Sequence, residues 1–169
     1  MDDENSRILQ LRAQKLSQPV SREELPEGNH IMLIFKLLPE LFAVRAPVLL
    51  EVLQLPEIAH MPGLPACVAG VFHRRGKILP AINLKILFNF PKPGLTTLDK
   101  LVLVQTPQLT FGLLADEIVG LQHYDPTALR QPPGEHHTGC ISGIFDQKVS
   151  LLEVEALAGQ LFSPKTAMP

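Results

Sequence analysis

The feature of this sequence that most restricts its fold is a series of short apolar runs separated by Pro and Gly. Nine such runs lie between residues 30 and 153: HIMLIFKLL, LFAVRA, CVAGVF, KILPAINL, KLVLVQ, LTFGLLAD, EIVGLQHY, CISGIF and KVSLLE. No long helical pattern separates them, which argues against a parallel α/β sheet. The 16 prolines concentrate in the connections, which is typical of small barrels with irregular loops. The pattern therefore predicts an antiparallel all-β domain with one or two compact barrels.

Three further segments depart from this pattern. The run PVLLEVLQL at 47–55 fits either a strand or a short helix begun by Pro47. Residues 83–90, NLKILFNF, predict a helical turn capped by Asn83, and residues 153–162 predict a C-terminal helix. Helix is thus expected to be a minor component.

The N-terminal residues differ in composition from the rest of the chain. Residues 5–17 space apolar side chains as one amphipathic helix, and residues 18–29 combine Pro, Gly and charge as a linker does. We therefore divide the chain into a helix and linker at 1–29, one domain at 30–162 and a tail at 163–169. The acidic N-terminus lacks a secretory pattern and no run reaches the roughly 20 apolar residues of a membrane span, so we expect a cytoplasmic protein with no direct membrane insertion.

Composition and motifs argue against two classes of function. Aromatic residues make up 5% of the chain, Trp is absent, and 15 basic residues face 17 acidic ones, so nucleic acid is an unfavoured partner. The sequence holds no phosphate-binding loop, nucleophile elbow or metalloprotease motif. We therefore expect neither catalytic residues nor a cofactor.

Two small clusters of residues carry groups that could bind a metal or catalyse a reaction. His136, His137 and Cys140 carry zinc-ligand groups, but a fourth ligand is missing and the surroundings resemble a solvated loop. Asp116 and Glu117 are adjacent carboxylates, which point to opposite sides of a strand and favour one hydrogen-bonded turn carboxylate over acid-base catalysis. Cys67 and Cys140 lie far apart in sequence and match no disulfide or metal-ligand spacing, so we expect both to be reduced structural thiols. We expect no metal site.

The segment GVFHRRGKILPAINL at 70–84 places a basic cluster between two apolar runs. A five-residue connection, HRRGK, with a Gly that accommodates a positive φ, predicts a β-hairpin. Spacing alone leaves open whether its arginines bind a partner or only solvate the turn.

Five ordered segments between about residues 30 and 160 resemble the CheW-like domain of bacterial chemosensory systems. The opening strands IMLIFKLLPELFAVRA resemble its first hairpin, and VLLEVLQL is similar to its V-x-E-I segment, with Glu51 at the acid. LPACVAGVFHRRGKILPAINL is similar to its Arg-Gly turn and Ile-Pro step, FGLLADEIVGL to its segment with an acid at Asp116, and CISGIFDQKVSLLEVEAL to its closing hairpin and helix. Two departures are His73-Arg74, where Asn-Leu is common, and Asn83, where Asp is usual.

The resemblance implies two intertwined five-stranded SH3-like β-barrels sharing a core. The spacing of apolar residues adds the N-terminal helix, which lies outside the core pattern of the family, and the C-terminal helix. It implies a non-enzymatic adaptor that couples the cytoplasmic helical tips of chemoreceptors to the regulatory domain of a CheA-type histidine kinase, with self-association into receptor arrays at the inner membrane as a further property. The partner-binding residues it implies are Leu49, Leu50, Glu51, Arg74, Arg75 and Asp116, with an ion pair between Glu51 and Arg75. The alternative is a small β-barrel module that binds a ligand or nucleic acid through HRRGK, and a third hypothesis is a hydrolase that uses His136, His137 or Asp116.

Overall fold

The chain forms two five-stranded β-sheets, which a computed structural model describes over residues 30–90, 98–132 and 139–162. The terminal sheet has the strand order β8-β1-β2-β10-β9, and the central sheet has the order β3-β6-β7-β5-β4. The strands are β1 (Ile31–Leu37), β2 (Glu40–Arg45), β3 (Leu49–Gln54), β4 (Val68–Arg74), β5 (Lys77–Ile82), β6 (Lys100–Gln105), β7 (Thr110–Ala115), β8 (Glu117–His123), β9 (Ile141–Phe145) and β10 (Val149–Leu152). The predicted mainly β fold is confirmed.

Two strand pairs correct the expectation of a purely antiparallel fold. β5 lies parallel to β7 in the central sheet, and β10 lies parallel to β2 in the terminal sheet. Parallel neighbours need a long connection between them, whereas antiparallel ones can be joined by a short turn. The two parallel pairs join strands that are distant in sequence, so a scan for hairpin signals does not detect them.

The helical segments agree with the sequence except in length. A short helix, α1, spans Leu84–Leu87 and is capped by Asn83, whose side chain accepts a hydrogen bond of 3.0 Å from the backbone N–H of Lys85. A second helix, α2, spans Val154–Phe162, as predicted. The ambiguous segment 47–55 forms a 3-10 turn at Ala46–Val48 and then strand β3. The predicted helix at 5–17 lies outside the described residues.

One hydrophobic core joins both sheets and α2. Phe35 and Phe42 of the terminal sheet, Phe111 of the central sheet and Leu157 of α2 are fully buried members of the same cluster. The strands β1, β6 and β7 are apolar and buried along nearly their whole length, because they contact neighbours on both faces. The central sheet is formed by the middle of the described chain, and the terminal sheet is formed by the segments before and after it.

Candidate functional site

The basic cluster of the sequence forms the turn between β4 and β5. This turn contains two residues, Arg75 and Gly76, with φ values of +50° and +77°, while Arg74 and Lys77 already pair as the last rung of the ladder. Two central residues with positive φ define a type I′ turn, whose twist matches that of the flanking strands. The expected five-residue connection is therefore wrong, because the strands extend further into the basic cluster. The positive φ expected at Gly76 is confirmed.

Both arginines of this hairpin lie beside Glu51 of β3. Arg74 donates from Nε to Glu51 Oε2 at 3.3 Å, and its Nη2 forms a close ion pair with Glu51 Oε1. Arg75 lies further away, with Nη2 at 3.8 Å from Glu51 Oε2. The ion pair expected between Glu51 and Arg75 is present, but Arg74 makes the closer contact.

This ion-pair cluster joins the two edges of the central sheet. β3 and β4 occupy opposite ends of the strand order, so the Glu51–Arg74 contact connects strands that share no backbone ladder. The side chains of Glu51 and Arg74 are 28% and 34% exposed, whereas that of Arg75 is 79% exposed. The cluster therefore has a sheltered part, between Glu51 and Arg74, and an open part at Arg75.

Apolar side chains lie exposed on the same edge strand. Leu50 and Val52 are exposed, whereas Leu49 and Glu51 are half-buried. The register of β3 against β6 shifts between Leu49 and Glu51, so these two residues pair with neighbouring residues of β6. Leu49 packs against the main core. Of the three β3 residues expected to bind a partner, Leu50 is thus the exposed apolar one, and Leu49 has a mainly internal contact.

A shallow groove lies next to the hairpin. Its volume is about 420 Å³, and its walls include Pro56, Ala59, Phe72, His73 and Ile78. Ile78 is 71% exposed, more than any other large apolar side chain of the described residues. Neither Val52 nor Ile78 was predicted as a site residue. The alternation of β5, in which exposed Ile78 precedes buried Leu79, is the signal that could have identified Ile78.

Asp116 lies apart from this cluster, in the junction between β7 and β8. Its Oδ2 accepts a hydrogen bond of 2.8 Å from the backbone N–H of Leu38 and lies 2.7 Å from Lys85 Nζ. The side chains of Asp116 and Lys85 are only 4% and 9% exposed. The hydrogen-bonded carboxylate expected at this position is confirmed. Because Asp116 is buried, a partner bound at the surface does not contact it directly.

The thiols also have internal surroundings. Cys67 and Cys140 are both free and buried, and burial raises the pKa of each thiol. Cys140 Sγ donates to Gln160 Oε1 at 2.7 Å. Within the described residues no three His, Cys, Asp or Glu side chains come together as a metal site. His136 and His137 lie outside the described residues.

In the described parts of the chain, no helix has the length and apolar character that crossing a membrane requires.

One family model and two curated proteins are similar to this chain. Residues 32–161 match the family model of the CheW-like domain. A segment of 87 residues, 50% of this chain, is 31% identical to Protein PilI of Pseudomonas aeruginosa and covers 49% of that protein, so the match spans about half of its length. A longer segment of 142 residues, 79% of this chain, is 27% identical to Chemotaxis protein CheW of Treponema pallidum and covers 82% of it.

The fold is similar to that of a solved structure. The crystal structure of the scaffolding protein TtCheW from Thermoanaerobacter tengcongensis superposes with a TM-score of 0.69, covering 78% of this chain and 88% of that one at 24% sequence identity. This similarity establishes a shared fold.

Proposed function

The chain belongs to the CheW-like domain family, and from this premise we propose that it is a non-enzymatic adaptor that couples chemoreceptors to a CheA-type histidine kinase. It binds the cytoplasmic helical tips of the receptors and the regulatory domain of the kinase, and it acts in the cytoplasm at receptor arrays. The match to a chemotaxis protein over most of both chains supports this reading, and the match to PilI extends it to related chemosensory systems.

The observation that carries the proposal is the surface around Glu51. The strand that carries Glu51 also has two exposed apolar side chains, Leu50 and Val52, and the hairpin beside Glu51 adds an exposed cation, Arg75. Protein interfaces commonly join apolar contacts with charges that select the partner and orient it. Leu50, Glu51, Arg74 and Arg75 are the residues proposed to belong to this interface. Leu49 packs against the main core behind β3, and Asp116, buried against Lys85 away from this surface, is proposed to act only through the stability of the fold.

We also assign the two sheets the SH3-like barrel form. The contact between Glu51 and Arg74 supports it for the central sheet, because it brings the first and last strands of the order together. In the terminal sheet, Arg130 forms a bridge with Ile144 of the edge strand β9, which covers that edge. An adaptor needs such rigid surfaces and no catalytic group.

Binding measurements with one charge reversal test the proposal. The full chain is titrated with the regulatory domain of the CheA-type kinase and with a receptor cytoplasmic fragment from the same organism, using calorimetry. We expect Arg75→Glu to weaken binding to at least one of them by about tenfold, which corresponds to about 1.4 kcal/mol. Its stability should change by less than about 0.5 kcal/mol, because the side chain is exposed.

Lys148→Glu is the matched control, since Lys148 follows a similar two-residue turn with positive φ, at Asp146 and Gln147 between β9 and β10. It makes the same change of charge in the terminal sheet and should bind as the parent does. Failure of the parent chain to bind either partner would overturn the coupling function. If Arg75→Glu bound both partners as tightly as the parent, the hairpin would have no role in binding and would act only as a turn.

The alternative function, a module that binds a polyanion through the hairpin, makes a different prediction. Affinity for nucleic acid would then fall steeply with added salt, because each phosphate contact releases counterions. The balance of 15 basic and 17 acidic residues supports the adaptor instead.

A further inference from the structure

The two adjacent arginines of the β4–β5 hairpin differ in how they use Glu51. Arg74 directs two nitrogens at the two carboxylate oxygens, Nε at Oε2 and Nη2 at Oε1. Such a two-point contact between a guanidinium and a carboxylate fixes both groups in distance and orientation. Arg75 Nη2 lies 3.8 Å from Oε2, which is longer than a hydrogen bond. Arg74 therefore forms the main ion pair with Glu51, although Arg75 lies nearby.

Arg75 is left as an exposed cation at a fixed place. Its backbone is the first central residue of the type I′ turn, so its Cα lies at the tip of the hairpin. Glu51 and Arg74 cancel in charge, and Arg75 then gives the three-residue cluster one net positive charge. With 79% of its side chain exposed, the Arg75 guanidinium can direct its donors away from the protein.

We propose that Arg74 is a positioning residue, which holds Glu51 and thereby leaves Arg75 available for a carboxylate on the partner. This inference rests on the proposed function, and it specifies the partner chemistry as an acidic side chain that meets the hairpin tip. Without the Arg74 guanidinium, Glu51 keeps its negative charge within 3.8 Å of Arg75 and draws that side chain back onto β3. The tip then becomes electrically neutral and loses its preference for an acidic partner.

A first experiment needs no partner. In NMR spectra of the full chain near neutral pH, the Nε–Hε group of Arg74 should be protected from exchange with water, and that of Arg75 should exchange rapidly. Arg74→Met, which keeps the aliphatic stem, should slow the exchange at Arg75, because Glu51 then binds it. Arg45 is the internal reference, since it lies at the end of β2 in the terminal sheet, donates to Glu153 and Tyr124, and should not change. Unchanged exchange at Arg75 in Arg74→Met would overturn the proposal.

A second experiment measures binding to the kinase regulatory domain and the receptor fragment. We expect Arg74→Met to weaken binding by about tenfold, or about 1.4 kcal/mol. Adding Glu51→Gln to that variant should restore most of the affinity, because Arg75 is then released again. Lys148→Met removes one positive charge from the terminal sheet and should leave the affinity unchanged.

The rescue separates a positioning role from a direct contact. If Arg74 itself met the partner, Glu51→Gln would fail to restore binding, and the proposal would be wrong. If the parent chain bound neither partner, the proposed function would fail, while the exchange experiment would still decide whether Arg74 controls Arg75.

Discussion

At the scale of single residues, two adjacent carboxylates show how burial changes the role of a charge. Asp116 and Lys85 form an ion pair at 2.7 Å with side chains 4% and 9% exposed. Glu117 pairs with Lys36 at 3.0 Å, but these side chains are 60% and 35% exposed. The buried pair links α1 and the end of the central sheet to the β1–β2 turn, because Asp116 also accepts from Leu38. The exposed pair lies along two neighbouring strands of the terminal sheet.

Removing the charge from each carboxylate should therefore have unequal effects. We expect Asp116→Asn to lower the free energy of unfolding by about 3 kcal/mol, because it leaves the buried Lys85 ammonium without its counter-charge. Glu117→Gln should cost at most about 1 kcal/mol, as is usual for exposed ion pairs. Urea unfolding of both variants at neutral pH measures the difference, and similar losses for the two would contradict the structural role of the buried pair.

The residues most accessible to sequence reasoning were those with a local signal. Asn83 and Gly76 act through neighbours in the chain, as a helix cap and in a turn, and both were predicted. The partners of Arg74 and Asp116 come from other elements, so spacing along the chain contained no information about them. The resemblance placed Glu51 beside Arg75, whereas the structure shows that Arg74, the last residue of β4, lies closer to Glu51.

At the scale of elements, β4 depends on a close approach by the segment that precedes it. Ala59 and Val71 exchange backbone hydrogen bonds of 2.8 and 2.9 Å, which cover the outer edge of β4. A Cβ placed on Gly70 would lie 2.4 Å from the carbonyl oxygen of Ala59 and 2.6 Å from Ile58 Cγ2. Glycine at this position therefore permits the segment to lie against the strand, which also shapes the groove beside the hairpin.

Two glycine substitutions of opposite expected sign test this packing. We expect Gly70→Ala to destabilise the protein by about 1–3 kcal/mol, because the backbone of residues 58–59 must move. Gly159→Ala in α2 meets no atom within 4 Å and should stabilise the protein by about 0.5–1 kcal/mol. Thermal unfolding gives both values, and hydrogen exchange at the amides of Ala59 and Val71 should become faster in Gly70→Ala alone. Unchanged protection at these amides in Gly70→Ala would show that residues 58–59 do not pack tightly against Gly70.

The elements were more predictable than their pairing. Alternating and continuous apolar runs identified nine strands, and Pro47 marked the tenth segment without deciding its type. The register of β3 is set by its contact with β6, about fifty residues further along the chain, so local sequence could not decide between strand and helix there. The parallel neighbours of β2 and β5 were missed for the same reason.

At the scale of the whole molecule, the two sheets share a core but also have smaller clusters of their own. The shared core includes Val44 of the terminal sheet, Val104 of the central sheet and Leu157 of α2. A second cluster contains Leu151 and other residues of the terminal sheet, together with Tyr124, which directly follows β8. If the shared core dominates, the domain unfolds as one unit despite its two sheets, and the surfaces on them keep a fixed relation.

Two core truncations distinguish one unit from two. Leu157 and Leu151 are both fully buried, and Leu→Ala at such sites costs about 2–5 kcal/mol. We expect either variant to shift the unfolding of both sheets equally, because every path to separating them exposes the shared core. Hydrogen exchange at the amides of Val44 and Val104 reports on each sheet separately during urea unfolding. Should Leu151→Ala unfold the terminal sheet at lower urea while Val104 keeps its protection, the sheets would be independent units, and a partner bound to one could not be held rigidly relative to the other.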